Sequence, residues 1–159
     1  MTPEQQFEEI YNENYHAVIS LCLGYVNGNK NLAQDLTQEV FIKVWQNLKS
    51  FRNEASISTW IYRITVNTCF QQLRKKQFPP ITIEEIPDET EEEKVKTEMR
   101  YQSMYHCIDL LSDTNKNIVL LELQDVPQKE ISNITGISYE ALRIRLHRIK
   151  NQLAKCIKK

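Results

Sequence analysis

Apolar residues recur at steps of three and four along most of this chain, and a few short segments interrupt the rhythm. Phe7, Ile10, Tyr11, Tyr15, Val18, Leu21, Cys22 and Tyr25 keep the step unbroken, which predicts one amphipathic helix ending near Gly28. Its start is marked too, with Thr2 as N-cap, Pro3 at the first helical position and Gln5 completing a capping box. A second helix, about 31–49, repeats Leu32, Leu36, Val40, Phe41, Val44 and Leu48 until SFRNEAS breaks it. Ser56 and Ser58 are both suitable caps for a third.

The stretch TWIYRITVNTCFQQLRKK, Thr59 to Lys76, is less plain. Its aromatic and β-branched start suits a strand, but its length exceeds a typical strand and no turn residue interrupts it, so helical steps fit better. Ile57, Ile61, Ile64, Thr68 and Cys69 then line one side, and Arg63, Asn67, Phe70 and Arg74 line another. The second face offers cations to phosphates, an amide to a base edge and an aromatic platform to a base. A solvated helix with Trp60 and Tyr62 in the core accounts for the same residue types.

Next, QFPPITIEEIPDETEEEK sets Pro79, Pro80 and Pro87 in the densest acidic run and reads as a linker. Beyond it, Val95, Met99, Met104, Ile108 and Leu111 mark a fourth helix, and Ile118, Leu121 and Glu122 a short fifth. Pro127 then opens a short helix carrying Ile131 and Ile134, Gly136 supplies a positive φ in a tight turn, and Ser138 caps a longer helix. This is helix-turn-helix order. Leu142, Leu146, Ile149 and Leu153 form the buried stripe of the last helix. Ser138, Tyr139, Glu140, Arg143 and His147 are the candidate base-facing set, with Arg145 and Arg148 alongside. His147 fits equally well as a merely exposed histidine.

Composition supports the helical reading: the 159 residues are 41% apolar and include only three glycines. The expectation is an all-α chain of two modules, each near the lower size limit for folding alone. No run approaches the roughly 20 apolar residues that span a bilayer, and MTPEQQFEEIYNE lacks the features of a signal peptide, so a cytoplasmic location is expected. Cys22, Cys69, Cys107 and Cys156 are far apart with no CxxC pair, and no histidine stands at metal-ligand spacing. The cysteines are expected to be reduced, without a zinc site.

The formal net charge of −1 conceals segregation. Residues 40–83 carry seven cations against one glutamate, residues 126–159 eight cations against two acids, and residues 84–98 eight acids against two lysines. Two basic regions flanking an acidic one suggest two contacts with one polyanion; solvated helix faces are the plainer alternative.

DLTQEVFIKVWQNLKSFRNEASISTWIYRITVNTCFQQLRKK resembles region 2 of bacterial extracytoplasmic-function (ECF) sigma factors, and the C-terminal helix-turn-helix resembles their region 4. The resemblance implies an N-terminal helical bundle over 1–77, an acidic linker over 78–91 and a helix-turn-helix domain over 92–159. It further implies a factor that binds core RNA polymerase, recognises −10 and −35 promoter elements and promotes melting. Asp35, Gln38 and Glu39 match the positions that dock on a coiled coil of the polymerase β′ subunit. Phe51, Arg52, Asn53, Ser56, Trp60, Arg63, Asn67, Arg74, Lys75 and Lys76 fall on the −10 surface; Ser138, Tyr139, Glu140, Arg143, Arg145, His147 and Arg148 fall on the −35 surface. Where housekeeping factors carry paired tryptophans this chain has Trp60 and Ile61, which implies a reduced melting wedge. An anti-sigma factor is implied as a further partner, and no cofactor, metal or small-molecule substrate.

A stand-alone dimeric helix-turn-helix regulator is the alternative that the residues leave open. A helical enzyme has little support, since no Gly-rich phosphate loop, nucleophile motif or set of clustered carboxylates with a base is present, and the acidic residues concentrate in the linker.

Overall fold

A computed structural model describes residues 2–52, 56–75 and 102–157. The acidic 78–91 segment, the start of the expected fourth helix, Asn53 and Lys76 lie outside the described residues, as do the side chains of Arg74 and Lys75. The described elements are α1 (Pro3–Tyr25), α2 (Lys30–Asn47) with a 3-10 turn (Leu48–Ser50), α3 (Ile57–Lys75), α4 (102–109), α5 (Asp113–Leu123), α6 (Gln128–Thr135) and α7 (Tyr139–Ile157). No strand occurs among the described residues, in keeping with the all-α expectation.

The capping box of α1 forms as its sequence dictates. The Gln5 amide donates to Thr2 Oγ1 at 3.2 Å, and the Thr2 amide donates to Gln5 Oε1 at 3.1 Å. At the other end Asn27 (φ 55°) and Gly28 (φ 80°) turn the chain, and the Gly28 amide reaches back to the Leu23 carbonyl at 2.8 Å. Asn29 then caps α2 by accepting from the Leu32 amide at 3.1 Å. Of the two candidate caps for α3, Ser56 is the one used, accepting from the Thr59 amide at 3.1 Å. Ser58 instead donates to Asn14 Oδ1 at 3.0 Å, tying the start of α3 to a buried amide on α1.

Helices α1, α2 and α3 pack against one another around Val18, Leu21, Val40, Phe41, Val44, Ile61 and Cys69, all buried. The strand-like residues of the TWIYRITVNT stretch sit inside this bundle: Thr59, Thr65, Val66 and Thr68 are buried with Ile61. Their hydroxyls do not go unpaired. Thr65 donates to the Ile61 carbonyl one turn back at 2.8 Å, and Thr68 accepts from Lys43 Nζ at 3.2 Å. A β-branched polar residue is tolerated in a buried helix face on those terms.

The second set, α5 to α7, closes on Ile118, Leu121, Ile131, Leu142, Leu146 and Ile149, with Ile108 of α4 beside them. Cys107 of α4 is bonded to Cys156 near the end of α7. This corrects the expectation that all four cysteines are reduced: the pair is 49 residues apart, and no local pattern announces it. Cys22 and Cys69 remain thiols, buried with their sulfurs 3.8 Å apart. Their shared hydrogen bond, then burial, pushes the Cys69 thiol well above its ordinary value.

The two sets are held together where α5 meets α1 and α6 meets α3. Leu120 lies directly over Gly24, and a Cβ there would displace the end of the Leu120 side chain, so glycine permits the close approach of α5 to α1. Beside it the buried Tyr25 hydroxyl donates to Asn117 Oδ1, and Phe70 meets the Tyr25 ring edge-on with centroids 5.9 Å apart.

Candidate nucleic-acid and partner interfaces

Three surfaces emerge from these helices. The first is the outer face of α2, opposite its buried Leu36, Val40 and Val44. Asp35 and Gln38 are exposed there, and Glu39 is half-buried because Gln72 of α3 donates to both of its carboxylate oxygens, at 3.0 and 2.9 Å. The expected trio therefore shares one face, with one member held in place. Ile42 (56% exposed) and Trp45 continue that face one and two turns on, and sequence reasoning passed over both. The signal was available: an apolar residue outside the buried stripe of an amphipathic helix is a contact candidate. Trp45 is also steadied by Phe7, edge-on at 5.3 Å.

The second surface runs along α3 and the turn before it. Arg52 and Asn67 are exposed, Arg63 is half-buried, and Arg63 and Asn67 stand one turn apart. Phe51 and Trp60 pack on each other at 4.9 Å, giving an aromatic edge at the helix start. Ser56 is committed to capping. Phe70, which the sequence places on the same face, is half-buried and meets Tyr25 edge-on, so part of its ring is committed to packing. Tyr62 is half-buried, and its phenol is pushed up by burial and then by the charge of Glu130 on α6.

The third surface is α7 with the turn ahead of it. Gly136 caps α6 at φ 79°, in the left-handed region, and Ser138 accepts from the Ala141 amide at 3.3 Å. With Leu142, Leu146 and Ile149 buried, Tyr139, Glu140, Arg143, Arg145, His147 and Arg148 are all exposed. Arg143 lies over the Tyr139 ring, 5.9 Å from its centroid, which restrains the guanidinium near the helix start. His147 Nε2 is 3.4 Å from Asn151 Nδ2, and Lys150 is drawn aside by Glu122 at 3.5 Å. Ile144 is exposed as well, and the sequence-based set omitted it.

Among the described residues no cluster of three His, Cys, Asp or Glu side chains could hold a metal, and no helix is long and apolar enough to cross a membrane. What the fold presents is a three-helix unit with two polar faces, packed against a helix-turn-helix whose second helix is basic.

Comparison with known proteins agrees. Residues 10–78 match sigma-70 region 2, and residues 101–153 match sigma-70 region 4. RNA polymerase sigma factor SigV of Bacillus subtilis (strain 168) is 32% identical over 132 residues, covering 80% of this chain and 76% of that protein. RNA polymerase sigma factor YlaC of the same organism is 28% identical over 167 residues, covering 98% and 94%. The sigma factor RpoE of Bartonella quintana, solved in complex with the anti-sigma factor NepR, shares the fold with a TM-score of 0.76 at 18% identity, covering 97% of this chain and 98% of that one. The chain belongs to the ECF family of RNA polymerase sigma factors, which bind core RNA polymerase and promoter DNA. Sigma factors initiate transcription and are not enzymes by themselves.

Proposed function

We propose that residues 1–77 bind core polymerase and the −10 element, that residues 92–159 read the −35 element, and that the chain promotes promoter melting in the cytoplasm. Asp35 and Gln38, with Glu39 held by Gln72, dock on the β′ coiled coil; Ile42 and Trp45 extend that contact. Arg63 and Asn67, with Arg52, Asn53, Arg74, Lys75 and Lys76, engage the −10 strand beside the Phe51–Trp60 edge. Extruding a base costs a few kcal/mol of stacking, so a site that compensates only for the right base couples recognition to opening. Exposed Glu140, Arg143 and His147 on α7 read −35 base edges, while Arg145 and Arg148 meet phosphates. An anti-sigma factor covering the polymerase-binding face accords with the fold shared with RpoE, whose solved complex holds one.

The observation that carries this reading is the exposure, in one chain, of Asp35 and Gln38 on one helix and of Asn67, beside half-buried Arg63, on another helix of the same bundle. The test separates them. Asp35→Ala with Gln38→Ala is expected to weaken association with core polymerase and to leave promoter opening normal at saturating factor. Asn67→Ala is expected to reduce opening with little loss of core affinity. If both variants lost core affinity alike, the division of labour would be wrong.

A further inference from the structure

The outward face of α7 carries one large apolar side chain, Ile144, among polar ones. Glu140, Ile144, His147 and Asn151 follow at steps of four, three and four, on the side opposite the buried Leu142, Leu146 and Ile149. Ile144 is 57% exposed, more than either Tyr139 or Ile157, the other large apolar side chains exposed on this helix. A β-branched side chain in water at the middle of a helix contributes nothing to the fold and loses slightly in helix propensity. Its surroundings are cationic and polar: Arg143 and Arg145 adjoin it in sequence, Arg148 lies one turn on, and Glu140 is the only acid on this face. Such a rim complements a polyanion, and the helix is the second of a helix-turn-helix.

Within a major groove approached by that face, one group rewards an aliphatic side chain. The thymine 5-methyl is the one apolar protrusion on the base-pair edge; cytosine offers only a C–H at that position, and the remaining readout groups are hydrogen-bond donors or acceptors. We propose that Ile144 is a specificity-determining residue that packs on the 5-methyl of one thymine in the −35 element. Glu140, one turn earlier, and His147, one turn later, bracket that contact and fix its register along the groove. The proposal rests on the promoter-reading role assigned above to α7.

The test uses holoenzyme reconstituted from the full chain and core polymerase, on a promoter selected by that holoenzyme from a library randomised across the −35 element. Each thymine of the selected element is replaced singly by deoxyuridine, which removes the methyl and nothing else, and binding is measured with wild type and with Ile144→Ala. One replacement is expected to weaken wild-type binding about fourfold, the value of one buried methyl group, and to cost the variant nothing. Because Ile144 is exposed, the variant keeps its fold, which circular dichroism verifies.

A selected element without thymine, an equal deoxyuridine penalty in both proteins, or an Ile144→Ala defect in core assembly alone would each overturn the proposal; the last would make Ile144 a protein contact. Loss of all −35 dependence by wild-type holoenzyme would instead remove the underlying role of α7. The outcomes therefore distinguish failure of the residue from failure of the reading.

Discussion

The junction between α1 and α5 allows a direct test of how this chain is arranged for work. Tyr25 is buried, its ring meets Phe70, and its hydroxyl donates to Asn117, itself buried. Promoter elements centred near −10 and −35 lie about 25 base pairs apart, or about 85 Å of duplex at 3.4 Å per pair. The 23-residue α1, longest of the described helices, spans only about 35 Å. On the promoter-reading roles proposed for α3 and α7, and with α5 packed on α1 and α6 on α3, engagement of both elements at once is expected to require the junction to part.

Tyr25→Phe keeps the ring and removes the donor, leaving Asn117 Oδ1 buried without it. The expected cost to the closed arrangement is about 1–3 kcal/mol, a shift of roughly 5- to 150-fold toward the parted one. Fluorescent labels on α2 and α5 are expected to separate more often in the variant, with helix content unchanged. The wild-type phenol carries a second sign. Burial holds its pKa well above the ordinary 10.0, so the folded state keeps a proton that the unfolded state releases first. Stability is thus fully present below pH 10 and falls as pH rises beyond it, and Tyr25→Phe is expected to flatten that fall. Unchanged label separation together with an unchanged alkaline slope would refute the role given to this hydrogen bond.

Other expectations concern the helix-turn-helix module. Reducing the Cys107–Cys156 bond frees a 49-residue separation in the unfolded chain and is expected to cost roughly 2–4 kcal/mol, read by denaturant unfolding with and without reductant; coincident curves would show that the bond contributes nothing. Gly136→Ala isolates backbone strain, because nothing lies within 4 Å of the added Cβ while φ is 79°. It is expected to cost about 1–2 kcal/mol without altering which promoter is chosen.

What could be read from the sequence was what is decided locally. The capping box at Thr2, the glycine turn at 136 and the buried stripe of α7 each depend on residues within a turn or two of one another, and all three form, with Leu153 at the end of the stripe only partly buried. The strand-or-helix question over TWIYRITVNT was settled by the same local physics, through hydroxyls such as that of Thr65 bonding one turn back. Long-range pairing was not legible. Phe70 packs against Tyr25, 45 positions away in sequence, and Cys107 finds Cys156 only because α4 and the end of α7 meet. Periodicity identified the buried stripes of α2 and α7 but did not single out the apolar residues left outside, so Ile42, Trp45 and Ile144 were missed.

The central claim is that the chain acts as a subunit of RNA polymerase. The most direct measurement is transcription from fragmented genomic DNA by bacterial core polymerase, with and without the purified chain, scored by sequencing transcript starts. The account predicts starts that appear only with the chain present, from sites sharing one −10 and one −35 element, while the chain alone binds the same duplexes weakly. Tight sequence-specific duplex binding by the chain alone, with no new starts when core polymerase is added, would contradict it and make the chain a stand-alone regulator.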